Sequence, residues 1–326
     1  MLILISPMKT RTRFQLTCIA VATGLMLSAA GAAAVDTPKP AETPKPKPAQ
    51  PMPADPIAAK AEAAQKAGQL VENAKFLEMI RKPVPGPVSL PPPASKLLTA
   101  REVARIAREA HLRVGWFFHC TRCDRWHTKL AGAYAIAPDA IGTAWHVMQP
   151  PENFKEGFPI AVDSVENVIP ITGVLGGDER MDAIVMRTTG VPLKALPLSN
   201  AEVGDSAYCF SDPLQERNYF SAGIVNRFRS KSGNGSTPID KIALSDLRVN
   251  VSTDWAPGSS GAAVLDGFGN IIGHVATIAP LFEKTPGPAK NTGAPQKEDR
   301  FHGASLMTLH DAIPAKSILS LIKPAH

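Results

Sequence analysis

The sequence predicts an all-β protein, a sandwich or barrel, with short helices near its ends. Ten apolar runs of strand length lie between residues 112 and 278, and Gly, Pro, Asp and Asn separate them. No helical pattern intervenes, so the strands are expected to pair with one another. Composition is that of a globular chain, at 44% hydrophobic and 20% charged residues, although 31 prolines are unusual.

The first 34 residues resemble a signal peptide. Lys9, Arg11 and Arg13 supply a charged start, an apolar stretch follows, and three alanines at 32–34 fit a cleavage site. We therefore expect export to the periplasm or the cell exterior. An uncut signal segment is the alternative, and it is the one membrane contact expected. The net charge of +6 is spread along the chain without a nucleic-acid motif, so no nucleic-acid partner is predicted.

Residues 35–95 are rich in Pro, Lys and Ala and are predicted to form a tail and linker. Alternating Pro and Lys up to about residue 56 predict an extended, polyproline-like spacer. Residues 57–82 are rich in Ala, Glu, Lys and Leu and predict one candidate helix, either docked on the body or free. A second proline cluster separates this helix from the folded domain, which is expected over residues 96–326.

A short helix opens that domain, because Thr99 and Glu102 form a capping box before residues spaced for one buried face: Val103, Ile106 and Ala110. A second helix is predicted at the end, over 312–322. The strands between them are predicted, in chain order, at 112–119, 131–138, 159–164, 167–175, 182–188, 206–212, 220–228, 246–253, 261–266 and 270–278.

Three motifs interrupt this pattern with residues that suit hydrolysis. Residues 257–261, "PGSSG", place two serines between glycines. "IGTAWHVM" places His146 after an apolar strand, and "MDAIVMR" places Asp182 before one. A reactive serine needs a base, an acid that orients the base, and backbone N–H groups for the developing oxyanion. Together these motifs supply all three.

The motif blocks "GAYAIAPDAIGTAWHV", "MDAIVMR" and "APGSSGAAVLDGFGNIIGHV" resemble those of trypsin-like serine proteases of the chymotrypsin fold. The similarity covers about residues 112–322 and is greatest to bacterial HtrA-type and glutamyl-endopeptidase-like branches. It implies two six-stranded antiparallel β-barrels with the active site between them. It also implies an exported serine endopeptidase that acts on proteins or peptides through an acyl-enzyme and needs no cofactor.

The same resemblance assigns roles. Ser260 would be the nucleophile, His146 the base and Asp182 the acid that orients it, and the N–H groups of Gly258 and Ser260 would form the oxyanion hole. Ser259 is the alternative nucleophile. A catalytically silent binding or scaffold protein of this fold is the alternative function. We expect neither a trypsin-type activation step nor a PDZ domain, because no "IVGG"-like start or following domain is seen.

Substrate preference has two candidate determinants. Asp254, six residues before Ser260, matches the trypsin position whose buried carboxylate selects Lys or Arg. The alternative is that "STDW" is the Thr-Asp pair of HtrA-like chains with a shortened loop. His274 lies near the histidine that glutamyl endopeptidases use, but one residue early, which places it on the opposite strand face.

A separate motif, "HCTRCDRWH", carries Cys120 and Cys123 between His119 and His127. A local disulfide, free thiols, or pairing of one cysteine with Cys209 are expected for an exported chain. The alternative is a zinc site of Cys120, Cys123 and His127. Either way, a stiffened hairpin is expected ahead of His146.

Overall fold

The computed structural model describes residues 55–232, 237–282 and 305–325. The predicted signal peptide at 1–34 and the Pro/Lys spacer as far as residue 54 lie outside the described residues. No helix within the described ranges is both long and apolar enough to cross a membrane.

Six strands close the first antiparallel barrel, in the order β2-β3-β4-β7-β6-β5. They are β2 (His111–Cys120), β3 (Trp126–Ala137), β4 (Ala140–Thr143), β5 (Phe154–Val162), β6 (Val168–Asp178) and β7 (Ala183–Thr188). Side chains of successive strand residues point to opposite faces, so every second residue faces the barrel interior. Aromatic and branched side chains occupy many of these interior positions. Trp116, Ile141, Ile171 and Met186 belong to this buried cluster.

The second barrel closes in the order β10-β13-β12-β11-β8-β9. Its strands are β8 (Ser206–Ser211), β9 (Tyr219–Ser230), β10 (Leu247–Val251), β11 (Ala263–Leu265), β12 (Ile271–Phe282) and β13 (Ser305–Pro314). The predicted all-β fold with two six-stranded barrels is confirmed. It is the architecture of the chymotrypsin fold.

The helices are α1 (Pro56–Lys66), α2 (Asn73–Arg81), α3 (Ala100–Ala110) and α4 (Ala315–Leu319). The capping box of α3 forms as the sequence predicts: Thr99 N–H donates to Glu102 Oε2 at 2.8 Å, and Glu102 N–H donates to Thr99 Oγ1 at 3.3 Å. The terminal helix is shorter than predicted because 312–314 continue β13. A two-residue strand β1 (Pro87–Val88) pairs in parallel with β14 (Lys323–Pro324).

The single helix predicted over 57–82 is two helices in the structure. Gly68, just after α1, has a φ of 69°, a left-handed conformation that commonly terminates helices. Both helices pack on the first barrel: Ile57 of α1 is buried in a cluster with Phe117 and Ile160. Phe76 of α2 meets the Trp116 ring edge-on at 5.8 Å. The carboxyl-terminal part of the predicted linker is therefore docked on the body.

Candidate active site

His146 and Asp182 lie close together at one end of the paired strands β4 and β7 of the first barrel. His146 lies in a 3₁₀ turn (Trp145–Met148) directly after β4, and Asp182 precedes β7. His146 Nδ1 lies 2.9 Å from Asp182 Oδ2 and 3.0 Å from Oδ1. The His146 backbone N–H also donates to Oδ1 at 3.0 Å. One carboxylate thus fixes both the ring and its backbone.

The hydrogen bonds from His146 keep Asp182 charged. The Asp182 side chain is only 15% exposed, whereas that of His146 is 44% exposed. Burial alone raises the pKa of Asp182, but the hydrogen bonds and charge of His146 outweigh it and hold the pKa below its usual range. An ionised Asp182 favours the tautomer with hydrogen on Nδ1, which leaves Nε2 as the basic nitrogen.

His274 contacts the backbone of Asp182 from the protein interior. Its ring is fully buried; Nε2 lies 3.1 Å from the Asp182 backbone oxygen and Nδ1 lies 2.9 Å from the Tyr134 hydroxyl. A carbonyl only accepts, so Nε2–H donates to Asp182 and Nδ1 accepts from Tyr134. Burial lowers the pKa of His274 to about 4, so the ring is neutral. The sequence places His274 one residue before the histidine that glutamyl endopeptidases use, on the opposite face of the strand. In the structure both of its ring nitrogens have partners in the interior, so the ring does not face a substrate.

Gly261 brings the serine loop against the first barrel. It has a φ of 77°, and a Cβ there would lie 2.1 Å from Thr143 Oγ1 and 2.5 Å from the Gly132 oxygen. Its N–H donates to the Val275 oxygen at 2.8 Å. Ser260 is thereby held beside the segment that leads into His146. Within the described residues, no hydrogen bond joins Ser260 Oγ to His146; such bonds are often long in enzymes without substrate.

The two serines of the loop differ in access. Ser259 is fully buried, and its Oγ accepts a hydrogen bond from Ser211 Oγ at 2.9 Å. Ser260 is partly exposed. Of the two residues, only Ser260 is therefore open to contact from outside the protein.

The turn before Ser260 presents backbone donors. Ser259 N–H donates to the Ala256 oxygen at 3.0 Å, and Gly258 has a φ of 104°. The Pro257 oxygen accepts from Leu214 N–H at 2.7 Å. Because C=O and N–H point in opposite directions across a trans peptide, the Gly258 N–H points away from Leu214. In the described part of the chain, the N–H groups of Gly258 and Ser260 have no acceptor, so both are available to an oxyanion.

Asp254 does not occupy the buried position that selection of Lys or Arg requires. Its side chain is exposed, and its backbone oxygen accepts from Ser221 Oγ at 2.8 Å. Its neighbours Thr253 and Trp255 are buried instead. Trp255 Nε1 donates to the Thr277 oxygen at 3.3 Å, and its ring meets His310 edge-on at 5.0 Å. Packing of Trp255 into the second barrel turns Asp254 outward.

Two clefts adjoin the site. One of about 230 Å³ lies beside His146 and Asp182 and is lined by two basic side chains, Lys231 and Arg248. The other, about 730 Å³, borders Gly258. Arg248 is buried and lies on β10. The local sequence around Arg248 does not distinguish it from an arginine that faces solvent. Its proximity to Asp182 depends on closure of the barrel.

The cysteines of the structure are free thiols: Cys120, Cys123 and Cys209. Cys209 is buried in a cluster of the second barrel, whereas Cys120 belongs to the buried cluster of the first barrel. Cys120 and Cys123 lie with His127 in one group whose ligand atoms are all within 4.8 Å of one another. The pairing of Cys209 with either residue, which the sequence left open, is absent from the structure.

Comparison with known families agrees with this geometry. Residues 132–273 match the family model described as "Trypsin-like peptidase domain". The matched stretch contains His146, Asp182 and Ser260. No curated protein matches the chain. The match and the two barrels support a chymotrypsin-fold hydrolase that acts on protein or peptide substrates.

Proposed function

We propose that the protein is an exported serine endopeptidase that uses Ser260, His146 and Asp182. The observation that carries the proposal is the His146–Asp182 pair on one barrel, next to the Thr143–Ala144 segment on which Gly261 of the serine loop packs. Within the described residues, that loop has a partly exposed Ser260 and two N–H groups without an acceptor. Export is supported by the signal-like composition of residues 1–34.

In the proposed reaction, Ser260 Oγ attacks the substrate carbonyl carbon while His146 Nε2 takes the hydroxyl proton. The N–H groups of Gly258 and Ser260 stabilise the oxygen that becomes negative. The C–N bond then breaks, and His146 gives its proton to the leaving amine. Water hydrolyses the acyl-enzyme in the same manner, with His146 again as base, and releases the acid and Ser260.

Asp182 contributes orientation and charge. Its carboxylate holds Nδ1–H of His146 and stabilises the imidazolium that forms in each half-reaction. The donation from His274 Nε2–H to the Asp182 backbone oxygen keeps this carboxylate in place. Because Asp254 is exposed and His274 is enclosed, neither supplies a buried charge that would select the substrate side chain at the cleaved bond.

Cleavage of an unfolded protein substrate tests the proposal. We expect the wild-type chain to produce peptides and Ser260→Ala to reduce kcat/KM by at least about 10³-fold, since catalytic side chains act as a unit. Ser259→Ala is the matched control, because it removes the adjacent, buried hydroxyl, and it should retain cleavage. A folded wild-type chain that binds the substrate without cleaving it would instead indicate the scaffold function, and equal activity of Ser260→Ala would exclude Ser260.

A further inference from the structure

The tip of the hairpin between β2 and β3 gathers two thiols and an imidazole. Cys120 ends β2, Cys123 lies in the turn, and His127 is the second residue of β3. Cys123 Sγ lies 2.9 Å from His127 Nε2, and all three ligand atoms are within 4.8 Å of one another. Tetrahedral zinc, with Zn–S near 2.3 Å and Zn–N near 2.0 Å, separates such atoms by roughly 3.5–3.8 Å. Small rearrangements would therefore accommodate the ion.

The hairpin backbone is folded so that the two cysteines face each other. Cys120 N–H donates to the Arg125 oxygen at 2.9 Å, and Asp124 N–H donates to the Cys120 oxygen at 3.0 Å. Asp124 has a φ of 53°, which turns the chain sharply after Cys123. This tight turn places both thiols on one side of the tip.

Cys120 Sγ is also surrounded by donors. The Arg122 N–H lies 3.4 Å from it and Asn153 Nδ2 lies 2.8 Å from it. N–H donors stabilise a thiolate, the form in which cysteine binds metal, and such outer partners orient metal ligands. Asn153 reaches this sulfur from the segment before β5, so the site involves more than the turn itself.

We propose that Cys120, Cys123 and His127 bind a Zn²⁺ ion. Two thiolates and an imidazole suit zinc, whereas calcium and magnesium prefer oxygen ligands. In the described ranges, the group holds these three His, Cys or acidic ligands and no fourth. Cys123 is exposed, so water completes the tetrahedron.

His119, the other histidine of the motif, does not belong to the ligand group, and its Nδ1 lies 3.5 Å from Glu156 Oε1. Its ring stacks on Trp126 with centroids 5.4 Å apart, and its Nε2 lies 3.2 Å from Asp124 Oδ1. The ligand set is therefore asymmetric: the histidine after the turn binds the ion, and the histidine before the turn packs against β3.

Metal analysis of the full chain tests the site. We expect about one zinc per chain after dialysis against metal-free buffer, and at least a tenfold lower content in Cys123→Ser and in His127→Ala. Cys123 is exposed and His127 is partly buried, so a thermal unfolding curve checks that each variant is folded. Cys209→Ala, which removes the thiol of the other barrel, is the matched control and should retain the zinc.

Cobalt provides a second readout. The Co²⁺-loaded chain should show thiolate-to-metal charge-transfer absorption and the intense visible bands of tetrahedral cobalt, and Cys123→Ser should lose both. Alkylation after chelation should modify both cysteines of the tryptic peptides from this hairpin. A metal-free wild-type chain, whether these cysteines are a disulfide or free, would overturn the proposal.

Metal binding is measured independently of proteolysis. Ser260→Ala should bind zinc as the wild-type chain does, so loss of cleavage in that variant does not affect the metal result. Conversely, a wild-type chain that contains no zinc but still cleaves substrate would exclude the metal site without affecting the proposed function.

Discussion

Replacing Gly261 with alanine should disable the site by pushing the serine loop away from Thr143 and Gly132 of the first barrel. The added Cβ would lie 2.1 Å from Thr143 Oγ1 and 2.5 Å from the Gly132 oxygen, whereas ordinary contact begins near 3.4 Å. The loop must therefore move by on the order of 1 Å, and a misplacement of about that size costs about 100-fold in rate. Overpacking adds about 1–3 kcal/mol of destabilisation to the left-handed backbone strain of about 1–2 kcal/mol.

Steady-state cleavage of a peptide substrate and urea unfolding measure these two effects. Gly68→Ala is the matched control, because Gly68 has a similar φ of 69° with nothing within 4 Å of its Cβ position. Gly68→Ala should lower the free energy of unfolding by the backbone strain alone, about 1–2 kcal/mol, and should leave kcat/KM unchanged. If Gly261→Ala matched Gly68→Ala in both activity and stability, contact with Thr143 and Gly132 would not be what positions Ser260.

Three further predictions concern the same site. Asp182→Asn should keep the fold, judged by circular dichroism, and lower kcat/KM by about 10⁴-fold, because an amide favours the wrong His146 tautomer; wild-type activity would contradict the assignment. Gly258→Ala places a Cβ 2.9 Å from the Asp212 oxygen at a φ of 104°; displacement of its N–H should reduce kcat by about 10²–10³-fold with little change in KM, and a change confined to KM would argue against an oxyanion role. His274 has a folded-state pKa of about 4, so its contribution is fully present above the unfolded pKa near 6.5 and is lost as the pH falls towards 4. Urea unfolding should show a loss of roughly 3 kcal/mol from this residue over that interval, and His274→Gln should reduce that pH dependence; an unchanged dependence would show that His274 is not its source.

Most strands were predictable because their signals are local. Turn residues bound each apolar run, and the runs coincide with ten of the twelve barrel strands. β4 is only four residues long and lies within the histidine motif, so no separate apolar run marks it. β13 was missed because polar residues interrupt its apolar pattern. Among these, Asp311 is buried and pairs with Arg229 of β9, a partner that only the closed barrel supplies.

The candidate site also contains residues that local motifs predict and contacts that only the folded chain creates. His146 and Asp182 were named from motifs, and the structure places them in contact. The support from Tyr134 through His274 was not predicted, since it links residues 140 positions apart. The orientation of Asp254 was also beyond local sequence, because burial of Trp255 against Thr277 and His310 determines which way this segment faces.

Covalent labelling tests the central claim most directly. A fluorophosphonate reacts with a serine hydroxyl only when a neighbouring base activates it, and peptide mapping identifies the modified residue. We predict one adduct, on Ser260, that disappears in His146→Ala while Ser259 stays unmodified. A folded wild-type chain that gains no adduct, or that gains one on a serine other than Ser260, would contradict the account.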